Sequence, residues 1–473
     1  MTLSKSTRSS IAIARVLGSS LLAALIACSS SSPETGPGGG DLPSPSGSSE
    51  SSGPTGSSET PSGGCNTAAD CPGTSTDCLS ITCSEHVCGT AMAPAGTAVT
   101  AQTAGDCKKV MCDGMGATMT ADEDSDIPDD SSVCTVDTCV AGAVTHTPTN
   151  LGGACSISGG GAGKCGASGA CVPPAELVVS GTGSVLAFAN AETATGNVAP
   201  ARSLTATTSF QSAIDPGRNL LYVAGTTGGA STVGVFSPRT ASGSAAPTRT
   251  MTLPGTAAYA VVADVAHDRI FTCDSTSTLR IIDNASTATG AVAEKATVTV
   301  GGNCFGLLYD NAHDRLYQAV YGTGVYVYDN IGNVAGNVTS VSLAPRLISA
   351  TTLTNGIGMA YDAGRDELYV ANYTGAPGTT LPLVLAFGNA SSANGVVTPL
   401  RTITGNALLW NARGLYYDAE LDELYVSTKG LNMVSAVSSA HTANGAFIGA
   451  ATRMVAGANT TLLSPMFVLL QRP

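Results

Sequence analysis

The chain has 473 residues, 12% of them charged, and a formal net charge of −13. That length accommodates two or three domains, and the acidic excess argues against a polyanionic partner, so nucleic acid is not an expected ligand. Sparse charge with abundant Gly, Ser, Thr and Ala suits short strands and tight turns better than long amphipathic helices.

At the N-terminus, Lys5, Arg8 and Arg15 flank the start of the apolar run Val16–Ala27. The run is too short to cross a hydrocarbon core of about 30 Å as a helix. A basic stretch before a short apolar one reads as a secretory signal over residues 1–27. Its end, Leu25-Ile26-Ala27-Cys28, resembles the lipobox of bacterial lipoproteins. The resemblance implies cleavage before Cys28 and acylation of that residue, which is then the expected membrane attachment. Ser29 follows rather than Asp, which in Gram-negative lipoproteins implies transport to the outer membrane. An ordinary signal peptide with an incidental Cys is the alternative. Residues 28–64 are almost entirely Ser, Gly, Pro, Thr and Glu after the Cys. Such a segment buries too little apolar surface to offset its ordering entropy. As a flexible coil it reaches roughly 30–35 Å, and it is expected to hold the folded part away from the lipid.

Twelve of the fifteen cysteines lie in the next segment, 65–172: Cys65, Cys71, Cys78, Cys83, Cys88, Cys107, Cys112, Cys134, Cys139, Cys155, Cys165 and Cys171. The spacing C-x4-C occurs three times, from Cys78, Cys107 and Cys134, which suggests two or three copies of a small loop-rich unit. Large apolar residues are few, so disulfides must substitute for a core. Their connectivity is not readable from sequence. Zinc is the rival reading, but no C-x2-C pair occurs and only His86 and His146 lie nearby, so no metal and no cofactor are expected. The acidic run Asp122–Asp126 with Asp129 and Asp130 lacks the Gly and closing Glu of a calcium loop and reads as a solvated loop. The passage Asp126–Val172 resembles Cys-rich repeats of myxobacterial surface lipoproteins, which again implies an envelope protein.

From residue 173 to 473 the pattern changes to short strands with a period near 50 residues, a signature of a β-propeller. One strand ends in Asp at Asp215, Asp264, Asp310, Asp362 and Asp418, and after a short turn a second strand follows. A third strand carries Phe188, Phe236, Ile282, Tyr328, Phe387 and Val437 at one position. A turn Gly comes next, at Gly196, Gly243, Gly290, Gly336, Gly395 and Gly445, and then a fourth strand. Six third strands but only five complete first-to-second pairs are present. Glu176 opens a second strand with no first strand before it, and Pro465–Gln471 is a first strand with nothing after it. The expected fold is therefore all-β: a six-bladed propeller of four-stranded blades, closed by the C-terminal strand beside Val178–Val179. The repeats resemble the NHL and YVTN propeller families and, more distantly, lactonase-type propellers. That resemblance implies architecture more than activity.

The recurring Asp residues accept backbone hydrogen bonds in turns and read as scaffold, since a single site would not recur once per blade. His267 and His313 in the same turns read as exposed. Lactonase-like propellers hold a metal with Glu, Asn and Asp at first-strand starts. Here those starts are Ser209, Tyr259, Phe305, Gly356 and Arg413, which counts against an exported hydrolase, the alternative function. The loops of that face supply few titratable groups for acid–base work. They do supply Tyr259, Tyr373, Arg413 and Trp410, the only Trp, as candidate ligand-binding residues; Trp410 is either an anchor for a partner or a lid over the channel mouth. Cys273 and Cys304 lie where an inter-blade disulfide is possible, with two buried thiols as the alternative. The expected function is a lipid-anchored envelope protein whose propeller is a binding or structural scaffold, with a protein or polysaccharide at the loop face.

Overall fold

The structure is a computed structural model that describes residues 64–237, 239–274, 276–373, 384–405, 411–447 and 452–472. The chain divides into two compact units, Met1–Gly64 and Cys65–Pro473. The signal segment, Cys28 and the tether lie outside the described residues, as does Trp410.

The fold is all-β, a six-bladed propeller preceded by a disulfide-rich module. Blades 3 to 6 start at Ala258–Asp264, Cys304–Asp310, Gly356–Asp362 and Ala412–Asp418, and each continues with three further antiparallel strands. Blades 1 and 2 form one continuous sheet, because Arg202–Asp215 serves as the fourth strand of one and the first strand of the next. Blade 1 closes the ring. Phe467–Gln471 pairs antiparallel with Glu176–Ser180, from Glu176 opposite Gln471 to Ser180 opposite Phe467. The run Glu176–Phe188 must double back near Gly183. Arg202 pairs with Ala187 on that run, yet its guanidinium reaches Glu176 at 2.5 Å.

Apolar packing holds the ring between blades, with one buried cluster at each of the six junctions. The repeat position seven residues after the turn Asp places Tyr222, Phe271, Tyr317, Tyr369 and Tyr425 in these junctions, all fully buried. Each such ring buries on the order of 150–250 Å² and contributes about 2–3 kcal/mol. Cys273 and Cys304 add a covalent link between blades 3 and 4.

The repeated Gly does more than turn the chain. Met251, Ala296, Ile348 and Ile403 on fourth strands pair in parallel with Gly290, Gly336, Gly395 and Gly445 of the following blades. Single bridges join Leu204 to Gly243 and Gly196 to Val455. The outer edge of every blade is thus capped by its neighbour, and all six glycines have positive φ, between 67° and 83°. Such capping removes the exposed edges that an isolated blade would present.

The recurring Asp carboxylates are buried turn acceptors. Asp215 receives the Arg218 amide at 2.9 Å and Asp362 the Gly364 amide at 3.0 Å. Asp264 and Asp310 also hold His267 and His313 at 2.8 and 2.7 Å, with both imidazoles mostly exposed.

The cysteine-rich module is built of four small hairpin units rather than loops, spanning Leu79–Met92, Lys108–Asp122, Thr135–Pro148 and Ala154–Val172. Its six disulfides follow a relay: Cys78–Cys112, Cys107–Cys139 and Cys134–Cys165 each join one unit to the next. Cys65–Cys83, Cys71–Cys88 and Cys155–Cys171 staple the two ends. The sulfurs of Cys78, Cys107, Cys112, Cys134 and Cys165 belong to its most buried residues, whereas Val87, Met115 and Val140 are exposed. The acidic run is spent locally: Asp122 pairs with Lys108 at 2.6 Å, Asp124 accepts the Gly142 amide, and Asp126 accepts the Asp106 amide.

Candidate functional site

The module docks on one face of the propeller. The Ala167 amide donates to Glu420 O at 2.6 Å and the Ser168 hydroxyl to Glu420 Oε2 at 2.9 Å. Glu420 lies in the turn between the first and second strands of blade 6. Arg472 ties the same corner together, donating to Pro173 O at 2.6 Å and pairing with Glu192 at 2.8 Å and Asp418 at 2.6 Å.

First strands begin on the opposite face, and those of blades 2 to 6 each begin with an irregularity. Register shifts fall between Ser209 and Ser212, Ala258 and Ala260, Cys304 and Gly306, Gly356 and Met359, and Ala412 and Leu415. A bulge re-aims side chains locally. It sets Phe210, Tyr259, Phe305, Ile357 and Arg413 at one repeat position around the axis. One residue further on, the equivalent positions are Gln211, Ala260, Gly306, Gly358, Gly414 and Phe467. The inner strands meet there at backbone distance. A Cβ on Gly306 would sit 2.0 Å from Ile357 O, and one on Gly358 would sit 2.0 Å from Arg413 O. The two large residues of this ring fill the centre. Gln211 hydrogen-bonds the Leu307 backbone, and the Phe467 ring comes within 3.5 Å of where a Gly306 Cβ would lie. Below the mouth the axis is plugged.

The mouth itself is aromatic. Phe210 meets Tyr259 edge-on at 4.7 Å, Tyr259 stacks on Phe305 at 5.2 Å, and Phe305 meets Tyr321 at 5.6 Å. On the far side the Arg413 guanidinium lies 4.6 Å above the Tyr373 ring, and Arg413 Nε donates to Asn411 Oδ1 at 2.9 Å. The structure therefore brings Tyr259, Tyr373 and Arg413 to one face, and Trp410 lies outside the described residues. Burial pushes the Arg413 pKa down, with Tyr373 and Tyr321 opposing. It also pushes Lys429 down, and the Arg413 charge adds to that shift. Asp274, at the end of a second strand on this face, is buried and spent on Arg280 at 2.7 Å.

Sequence reasoning missed Phe210, Tyr321 and Lys429 as members of this cluster. The repeat alignment carried the signal for Phe210, which shares its position with Tyr259 and Phe305. Among the described residues, groups of three or more metal-type ligands occur only in the cysteine-rich module. Two of those groups are disulfide cysteines, and the third is Asp130, Asp137 and His146.

Fold and site define a cysteine-rich β-propeller protein with an aromatic, cationic face. No family model matches this chain. No curated protein matches it either. Among solved structures it is similar to a chain in the crystal structure of a nidogen/laminin complex, with a TM-score of 0.45 and 12% identity over 63% of this chain and 98% of that one.

Proposed function

We propose that this is an exported envelope protein, anchored through lipid on Cys28, whose propeller is a binding platform for an extracellular or periplasmic partner. One observation carries the reading: the cysteine-rich module occupies the turn face at Glu420, leaving the opposite, aromatic face with Arg413 clear of it. Clustered aromatic rings beside an Arg form the residue set that dominates binding hot spots. The seven disulfides suit an oxidising compartment, and the apolar segment ending at Cys28 suits lipidation and, with Ser29 after it, the outer membrane. Acid–base chemistry finds little support at this face. The positions around the axis are Phe210, Tyr259, Phe305, Ile357 and Arg413, none of which is a carboxylate, an imidazole or a thiol.

Two measurements test the proposal. Radiolabelled palmitate should be incorporated into the full chain in a bacterial host and not into Cys28→Ala. The purified full chain should capture material from an envelope extract, and Arg413→Gln should capture less. A Cys28→Ala chain that still takes up label, or capture unchanged by Arg413→Gln, would contradict the reading.

A further inference from the structure

The aromatic face carries positive charge on a chain that is otherwise acidic, at −13. Arg413 and Lys429 are close enough for one charge to disfavour the other, and neither has a carboxylate partner among the described residues. By sequence, the segments 374–383 and 406–410 contain no Asp or Glu. Two half-buried like charges without a counter-ion oppose folding, so their juxtaposition calls for an anion from outside.

The guanidinium is also held in a fixed plane. Tyr373 lies under it at 4.6 Å, and Asn411 takes the Nε hydrogen at 2.9 Å. Both Nη groups are left without a partner among the described residues. A fixed planar fork matches a planar oxyanion bidentately, which a flexible lysine does not. Across the mouth the Tyr259 and Phe305 rings supply apolar contact, and the exposed Asn303, two residues before Phe305, carries an amide with a donor and an acceptor for hydroxyls.

We infer that this mouth takes a carboxylated sugar ring, a hexuronate unit of an acidic polysaccharide, with the carboxylate on the Arg413 fork and the carbon face of the ring on the aromatic side chains. The inference rests on the binding-platform reading. A single fork with one nearby Lys suits a monoanion, and the aromatic rings suit a body with C–H faces rather than a bare inorganic ion. An extended peptide gains affinity by adding to a free sheet edge. Among the described residues this face offers none, because the inner strands already meet at backbone distance at Gly306, Gly358 and Gly414.

The test is calorimetric titration of the detergent-solubilised full chain with trigalacturonate, its methyl ester and inorganic phosphate. We expect saturable trigalacturonate binding that weakens about tenfold or more in Arg413→Gln. It should weaken less in Arg413→Lys, weaken with added salt, and be unchanged in Lys109→Gln, which removes a charge from the distant module. Methyl ester or phosphate binding as tightly as the acid overturns the inference. So does the absence of trigalacturonate binding to a chain that still captures envelope material, a result that leaves the platform reading standing. If Arg413→Gln does not fold, Arg413→Lys decides: wild-type affinity in that variant overturns the role of the fork.

Discussion

Gln211 and Leu307 exchange two hydrogen bonds although blade 3 separates their blades: Gln211 Nε2 donates to Leu307 O at 2.8 Å, and the Leu307 amide donates to Gln211 Oε1 at 3.3 Å. The pair reaches across the channel where four other first strands carry Ala260, Gly306, Gly358 and Gly414 at the equivalent position and the fifth carries Phe467. A buried amide of this kind is costly if left half satisfied. Gln211→Leu keeps the approximate volume and strands the Leu307 backbone groups. We expect a loss of about 1–3 kcal/mol, read from a urea melt with an unchanged m-value. No change in the midpoint would mean that water replaces the amide without penalty.

Ring closure rests on the five residue pairs between Glu176–Ser180 and Phe467–Gln471. Val468 and Leu470 also sit in the junction with blade 6. A chain ending at Leu463 loses both the ladder and that packing, and it exposes an edge. The expected outcome is loss of the cooperative calorimetric transition. A truncated chain that melts like the full one would disprove closure by this strand.

Blade 2 breaks a pattern shared by three others. Arg401 and Arg453 on fourth strands pair with Glu367 and Glu423 on second strands, and Arg202 pairs with Glu176. Arg249 holds the same place in blade 2, but Leu220 stands where the Glu would be, and Arg249 Nε and Nη2 are buried with no hydrogen-bond partner among the described residues. A charge left unpaired is worse than an apolar side chain. Arg249→Met should therefore raise stability by about 1 kcal/mol or more, whereas Arg453→Met, which orphans Glu423, should lower it by about 3 kcal/mol. Thermal melts of the two variants moving in the same direction would refute the comparison.

Where the sequence was legible, the reason was periodicity. Asp264, Asp310 and Asp362 recur at the same strand end and serve the same turn, so alignment alone separated scaffold from site. The unmatched ends at Glu176 and Gln471 revealed closure by the same counting. What periodicity does not carry is contact between blades. The parallel bridge from Met251 to Gly290 joins a fourth strand to the next blade's turn, and no local pattern announces it. The disulfide relay is similar: Cys78 takes Cys112 of the following unit rather than its neighbour Cys83. The Arg413–Tyr373 contact joins blade 6 to the end of a blade 5 strand. The sequence places both on loops of one face, but only the fold brings them into contact.

His146 gives the module a pH response. Its Nδ1 lies 2.7 Å from Asp137 and 3.4 Å from Asp130. The hydrogen bond to Asp137, with the charges of both acids, raises its pKa above the ordinary 6.5. The bond to His146 and the Asp130 amide lower that of Asp137. A raised imidazole pKa contributes stability fully present below about 6.5, lost as pH rises through the folded value. The lowered carboxylate pKa works the other way, its contribution being lost as pH falls through the depressed value. The contact is strongest between the two. An NMR titration should find the His146 midpoint above 6.5 and shifted down in Asp137→Asn; a midpoint at or below that value would remove the contact from solution.

Gly290 isolates the cost of the inter-blade bridge. Its φ is +67°, and a Cβ placed there meets no atom within 4 Å. Any penalty for a side chain therefore comes from the backbone conformation and not from a clash. An L-residue in this left-handed region costs about 1–2 kcal/mol. Gly290→Ala should lose about that much, and Gly395→Ala, with φ at +83° and equally open space, should lose about the same. Gly301 supplies the control: its Cβ would also meet nothing, and its φ is not in the left-handed range. Gly301→Ala should be near neutral or slightly stabilising, since it restricts only the unfolded chain. Equal melting temperatures for Gly290→Ala and Gly301→Ala would show that the bridge tolerates a relaxed backbone, and the six repeated glycines would then need another explanation.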